Sequence, residues 1–170
     1  PLKAAGTPGL NALMGSTFAL ALTLVIFAGS ELFTGNNMIM IIGSLTKTVT
    51  WIDTIKVWIV SYMGNLVGSL VMAFALLQTG LITKDPLSSF ILGAAAGKMN
   101  AGVYELFFRG ILCNMLVCLA IWMATKAKED TAKLLLIFWC LLGFIGAGFE
   151  HSIANMTILG MGLFMPHDPS

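Results

Sequence analysis

The chain has 170 residues, 58% of them hydrophobic and 10% charged, with a formal net charge of +1 and a mean hydropathy of +0.92. An ordinary soluble domain carries nearer ~25% charged residues, so this chain belongs in a bilayer, and its near-neutral balance excludes a polybasic nucleic-acid binder. Cys113, Cys118 and Cys140 all lie in apolar runs with no partner at metal-ligand spacing; they read as small buried hydrophobes, and neither a metal nor a cofactor is expected.

The chain opens on Pro1 and closes on "MPHDPS", without an initiator Met or a signal peptide's basic start and cleavage site. It reads as a fragment of a longer protein, with 1–170 forming one transmembrane domain. A helix needs roughly 20 apolar residues to cross a bilayer, and Leu10 to Gly29 meets that length. The run is then interrupted by "AGSELFTGNNM", Ala28 to Met38, before a half-helix from Met38 to Leu45. Val57 to Ile82 is a second span, with Ser61, Tyr62 and Asn65 near its start. "TKDPLSSFILGAAAGKMNAG" follows as a connection with Pro86, several glycines and Lys98. The third span, Val103 to Thr125, opens with Glu105 and Arg109, an (i, i+4) pair that can neutralise itself. A short basic loop, "KAKEDTAK", leads to Leu134 to Gly148, a second interruption, and a half-helix from Ile153 to about Met165.

The two interruptions match. "AGFEHSIANM", Ala147 to Met156, repeats the Ala-Gly, one residue, Glu pattern of the first and closes, as it does, on Asn-Met. Counted as the first and fourth spans, the broken elements enter the membrane from opposite sides and are related by inversion, a signature of transporters and channels. Backbone cannot stay unpaired against lipid, so such breaks are expected to be buried in protein or to line a permeation route. Lys47, Lys56, Lys126, Lys128 and Lys133 fall on one side, against Lys84 and Lys98 on the other, which predicts that the first group is cytoplasmic.

His151, beside Glu150, is the one histidine inside an apolar segment; His167 lies beyond the last half-helix. A structural cap is the bland reading of His151, but an ionisable side chain within a membrane marks a pathway, and histidine can exchange a proton near neutral pH. Thr34 either turns its hydroxyl toward a ligand or caps the half-helix that follows, and the sequence leaves both open. Exposed N–H groups at a half-helix start favour an anion in either case. Phe18 and Leu22 share a face of the first helix and Phe144 approaches the second break; packing and constriction are both compatible with that spacing. Lys98 follows the small-residue run "LGAAAG" and reads equally as a surface lysine or as part of a site.

"GSELFTG", "ILCNMLVCLAIWM" and "GFEHSIANM" resemble the formate/nitrite transporter family over nearly the whole chain, and "CNMLVCLAIWMATK…FWCLLGFIGAGFEHSIANMT" is more similar to its nitrite branch. The resemblance implies an all-α, aquaporin-like membrane bundle of six elements, assembled as a homopentamer with one pore per protomer; the first and last helices would be missing here. It implies a constriction of Phe18 and Leu22 facing Phe144, a loop of Leu32, Phe33 and Thr34 at the first break, and a central His151 between Glu150 and Asn155. It further implies a polar relay of Lys98, Asn114 and Glu150 behind the pore.

Together these predict not an enzyme but a multi-pass protein of the cell inner membrane that passes small monovalent weak-acid anions, nitrite, formate or hydrosulfide, with nitrite favoured. A bare anion at the bilayer centre is costly, so a pore must pair or protonate it: Lys98 would gather the anion, Thr34 hold it, and His151 offer a proton or hydrogen bond between constrictions that exclude water. An aquaporin-like neutral-solute channel would need Asn-Pro-Ala at both breaks, and neither "GNNM" nor "IANM" has the proline. A zinc protease would need His-Glu-x-x-His, and "FEHSIANM" has a single histidine.

Overall fold

The computed structural model describes residues 10–166, and the described residues form seven helices: α1 (Leu10–Ala28), α2 (Phe33–Leu45), α3 (Trp51–Gln78), α4 (Leu87–Met99), α5 (Val103–Lys126), α6 (Asp130–Gly146) and α7 (Ser152–Phe164). Among the described residues α3 and α5 are long and apolar enough to cross a membrane singly, and α1 and α2, bent by 48° at their break, are apolar enough to do so if the pair is one span. α1 packs on α6, joining the first halves of the two broken elements; α5 covers α6, and α7 lies against α3 and α4.

Both breaks use one backbone device. The Ser30 N–H reaches back to Val25 O at 2.9 Å, and the Phe149 N–H to Phe144 O at 3.0 Å. Each bond spans a glycine in the left-handed region, Gly29 at φ 69° and Gly148 at φ 74°. This is the Schellman ending, in which a residue without Cβ turns the chain so that a late carbonyl is satisfied. The repeated Ala-Gly is therefore a helix stop, and the Glu that follows begins the next segment's polar turn.

The half-helices start earlier than the sequence pattern predicts. α2 begins at Phe33, not Met38, because the first four N–H groups of a helix need no intrahelical partner and polar residues are tolerated there. Gly35 also lets α5 approach, since a Cβ there would lie 2.6 Å from Ile121 Cδ1. α3 likewise begins at Trp51, not Val57. Thr50 and Asp53 form a reciprocal capping box, each backbone N–H 3.2 Å from the other's side-chain oxygen, and a 2.6 Å hydrogen bond between the Ser44 and Thr54 hydroxyls ties α2 to α3.

The larger correction is α4. Thr83 to Gly102 reads as a connection, yet residues 87–99 are helical. Pro86 is the residue before the helix, where a missing N–H costs nothing, and Ala94 to Ala96 favour a helix inside it. At about 20 Å, α4 is too short to cross and instead carries Lys98 to the second break.

The core lies between α1, α5 and α6, where Val117, Ile137, Leu141 and Phe144 are almost wholly buried. Large apolar residues on the outer face of α3, Val60, Val67 and Val71 among them, are exposed, as suits a surface that meets lipid or further helices. α7 is held close by small residues: a Cβ on Gly160 would lie 3.2 Å from Ala73 Cβ, and one on Gly162 3.1 Å from Ala95 Cβ. Gly160→Leu is therefore expected to push α7 off α3 and destabilise the full-length protein by about 1–3 kcal/mol. A thermal melt in detergent with an unchanged midpoint would contradict this close packing.

Candidate functional site

Three cavities meet at His151. The first, about 320 Å³, is lined by Phe18, Leu22, Leu32, Leu141, Phe144 and Thr157 among others and is almost entirely apolar. The second, about 560 Å³, is lined by Phe33, Thr34, Asn114, Glu150 and Ser152 among others. The third, about 410 Å³, is the polar vestibule beside Lys98, Arg109, Glu150 and Asn155. His151 alone lines all three.

Phe18 and Phe144 are shared by the apolar chamber and the vestibule. Their rings meet edge to face with centroids 5.9 Å apart, and each ring also lies about 6 Å from the His151 imidazole, at 6.3 and 6.0 Å. The α1–α6 contact thus places two aromatic rings beside a histidine where the two cavities adjoin. Leu22 is buried on the chamber side. Leu32, the residue before α2, faces the same chamber, whereas Phe33 turns to the second cavity and packs on Tyr62 at 5.1 Å.

His151 is 8% exposed and precedes α7 as its N-cap: the Ala154 N–H donates to Nδ1 at 3.2 Å. A nitrogen that accepts carries no proton, so in the neutral ring the proton sits on Nε2. Nε2 faces the Thr34 hydroxyl at 3.4 Å, and Nε2–H is then the donor. The cap and pathway readings of His151 are thus compatible, one ring nitrogen serving each. Thr34 does not cap α2, whose N-cap is Leu32 without a side-chain bond; its hydroxyl points to His151 instead.

Behind this pair, Glu150 Oε2 accepts from Asn155 Nδ2 at 2.9 Å and pairs with the Lys98 ammonium delivered by α4. Lys98 and Glu150 are largely enclosed, with side chains 20% and 16% exposed. Asn114, on α5, meets Lys98 only across Glu150, which lines the cavities of both; its Oδ1 is buried without a partner. Among the described residues no three His, Cys, Asp or Glu side chains group to hold a metal, and His167 lies outside the described residues.

Two positioning residues do not emerge from sequence reasoning. Asn65, on α3, bridges the first break like a surrogate peptide: Nδ2 donates to Glu31 O at 3.1 Å and Oδ1 accepts from the Phe33 N–H at 2.9 Å. Asn36 Nδ2 donates to Glu31 Oε2 at 2.8 Å, repeating the Glu150–Asn155 contact at the same five-residue spacing. That spacing is visible in the two quoted repeats and signals Asn36. For Asn65 the only sequence signal is an amide within an apolar span.

This arrangement defines a class: a multi-pass membrane protein with two broken helices whose interruptions meet at a buried polar centre. The family profile described as formate/nitrite transporter matches residues 2–170. The chain is 46% identical over 154 residues to the nitrite transporter NirC of Salmonella typhimurium, covering 91% of this chain and 57% of the relative. To the formate channel FocA of Haemophilus influenzae it is 35% identical over 167 residues, covering 96% of this chain and 58% of that one. A solved FNT family ion channel superposes with a TM-score of 0.90 at 43% identity, over 96% of this chain and 65% of the other. A pentameric formate channel with formate bound gives 0.80 at 32%, over 92% and 63%. The chain belongs to the formate/nitrite transporter family, and it spans a little over half the length of the curated relatives it matches.

Asn65→Ala should leave the Glu31 carbonyl and Phe33 N–H without their partner and destabilise the full-length protein by about 1–3 kcal/mol, read by thermal unfolding. Lys98→Gln leaves the Glu150 carboxylate enclosed with only an amide, and should lower the melting temperature more than the double change Lys98→Gln with Glu150→Gln, which removes both charges. A double variant no more stable than Lys98→Gln would show that the ion pair is not what holds α4 to the break.

Proposed function

We propose that the full-length protein is a homopentameric pore of the cell inner membrane for small monovalent weak-acid anions, with nitrite its first substrate and formate its second. The observation that carries this reading is that His151 adjoins an apolar chamber, a vestibule holding Lys98 and Arg109, and the Thr34 hydroxyl. The anion enters by the vestibule, outside if the lysine-rich loops are cytoplasmic. It meets the Nε2–H and Thr34 hydroxyl, both able to donate to an oxyanion, near the starts of two half-helices whose dipoles favour negative charge. Phe18, Leu22 and Phe144 keep the passage apolar, so a solute must shed water or charge to cross. The nitrite assignment is supported by 46% identity to a nitrite transporter; formate is supported by the likeness to a channel with formate bound.

Flux of nitrite, formate and hydrosulfide into liposomes carrying the full-length protein, with and without a pH gradient, tests the reading; absence of flux for all three sinks it. Asn is itself a good N-cap, so His151→Asn should keep α7 capped and the pentamer intact while flattening the pH dependence of flux. An unchanged pH profile in that variant would remove the proton-exchange role from His151.

A further inference from the structure

Two cations line the vestibule, and they are paired differently. Lys98 pairs with Glu150, whose carboxylate lines the same cavity. Arg109, nearly two turns into α5, lines it as well. Its sequence partner Glu105 is (i, i+4) on the same helix, but Nη2 and Oε2 stand 3.7 Å apart, beyond hydrogen-bond distance. Glu105 is 63% exposed and is not among the residues lining the cavity. Lys98 and Glu150 balance within the cavity, whereas the carboxylate that Arg109 faces as an ion pair lies outside the lining and leaves the guanidinium donors without a hydrogen bond.

We infer that Arg109 is the anion-capture and selectivity residue of the vestibule, taking planar anions that present two oxygens. The inference rests on the pore reading above and assigns its entry step. A guanidinium offers up to five N–H donors in a rigid fork that matches a carboxylate-like pair of oxygens, whereas an ammonium acts as a point charge. Lys98 already gives its charge to Glu150, so its main part is to hold α4 and the break in place. Arg109, 44% exposed and without a hydrogen-bonded carboxylate, keeps its donors free at the mouth. Capture there is reversible because water competes at a half-exposed site, and an anion must be released to move on to His151.

The test is flux from the vestibule side by the full-length protein in liposomes, as a function of nitrite or formate concentration. Arg109→Gln should raise the half-saturating concentration roughly five-fold, the factor that about 1 kcal/mol of lost attraction produces, with maximal flux and the pentamer unchanged. Arg109→Lys, which keeps charge and fold but loses the fork, should fall between parent and Arg109→Gln. Glu105→Gln should leave the half-saturating concentration unchanged or lower it. A half-saturating concentration unaltered in Arg109→Gln, or a fall in maximal flux alone, would overturn the inference and make Arg109 a structural residue. If the parent carries neither anion, the pore reading fails separately. Arg109 is then judged by stabilisation of the parent against heat with added nitrite, which Arg109→Gln must weaken for the inference to stand.

Discussion

A helix broken inside a bilayer leaves N–H and C=O groups with no water to bond, each costing several kcal/mol if left unpaired. The polar contacts at the two breaks answer that constraint. The two helix ends close on themselves through Gly29 and Gly148, so that a late carbonyl is satisfied by the residue after the glycine. The two helix starts need outside help and receive it differently. At the first break the Asn65 amide, reaching across from α3, replaces the missing peptide partners. At the second, the imidazole of His151 does so from within the break itself.

That difference makes the two halves chemically unequal although the backbone turns are alike. Each break has a Glu accepting from an Asn five residues on, but Glu150 also meets Lys98, because α4 delivers an ammonium to that side. The vestibule with Lys98 and Arg109 therefore faces the second break, while the apolar chamber lined by Leu22 and Leu32 lies on the other side of Phe18 and Phe144. In the pore reading, this order of a charged cavity followed by an apolar chamber is the one a small anion needs if it is to be gathered first and dehydrated afterwards.

What was legible in the sequence follows the reach of each interaction. The broken helices show themselves as polar letters within apolar runs, and the repeated Ala-Gly marks the helix ends, since both signals are local. The boundaries of α2 and the existence of α4 escaped, because polar residues in a helix's first turn and a Pro just before it look like loop until the partners are known. Asn65 meets a break some thirty residues away, Lys98 meets Glu150 across 52 positions, and Thr34 meets His151 across 117. No period within one helix encodes such pairs. Phe18, Leu22, Phe144 and Lys98 come from the family resemblance, which carries three-dimensional information that spacing lacks, whereas the (i, i+4) spacing of Glu105 and Arg109 is enough to signal the ion pair that stands at 3.7 Å.

The cap on α7 also limits how His151 can act. With Nδ1 engaged by the Ala154 N–H, the neutral ring has one free edge, and that edge is a donor. Donating a hydrogen bond to an anion from Nε2 disturbs nothing else. Giving the Nε2 proton away requires a proton at Nδ1, because the alternative product is an imidazolate, and a proton on Nδ1 displaces the Ala154 N–H and uncaps the half-helix. In the pore reading, proton delivery and the start of α7 are thus coupled through a single nitrogen. Asn155 and Lys98 hold Glu150, the residue before the ring, by contacts that do not involve the imidazole. The break can then loosen at His151 while staying anchored at Glu150, and the anion can be met by a hydrogen bond in the capped state and by a transferable proton only in the uncapped one.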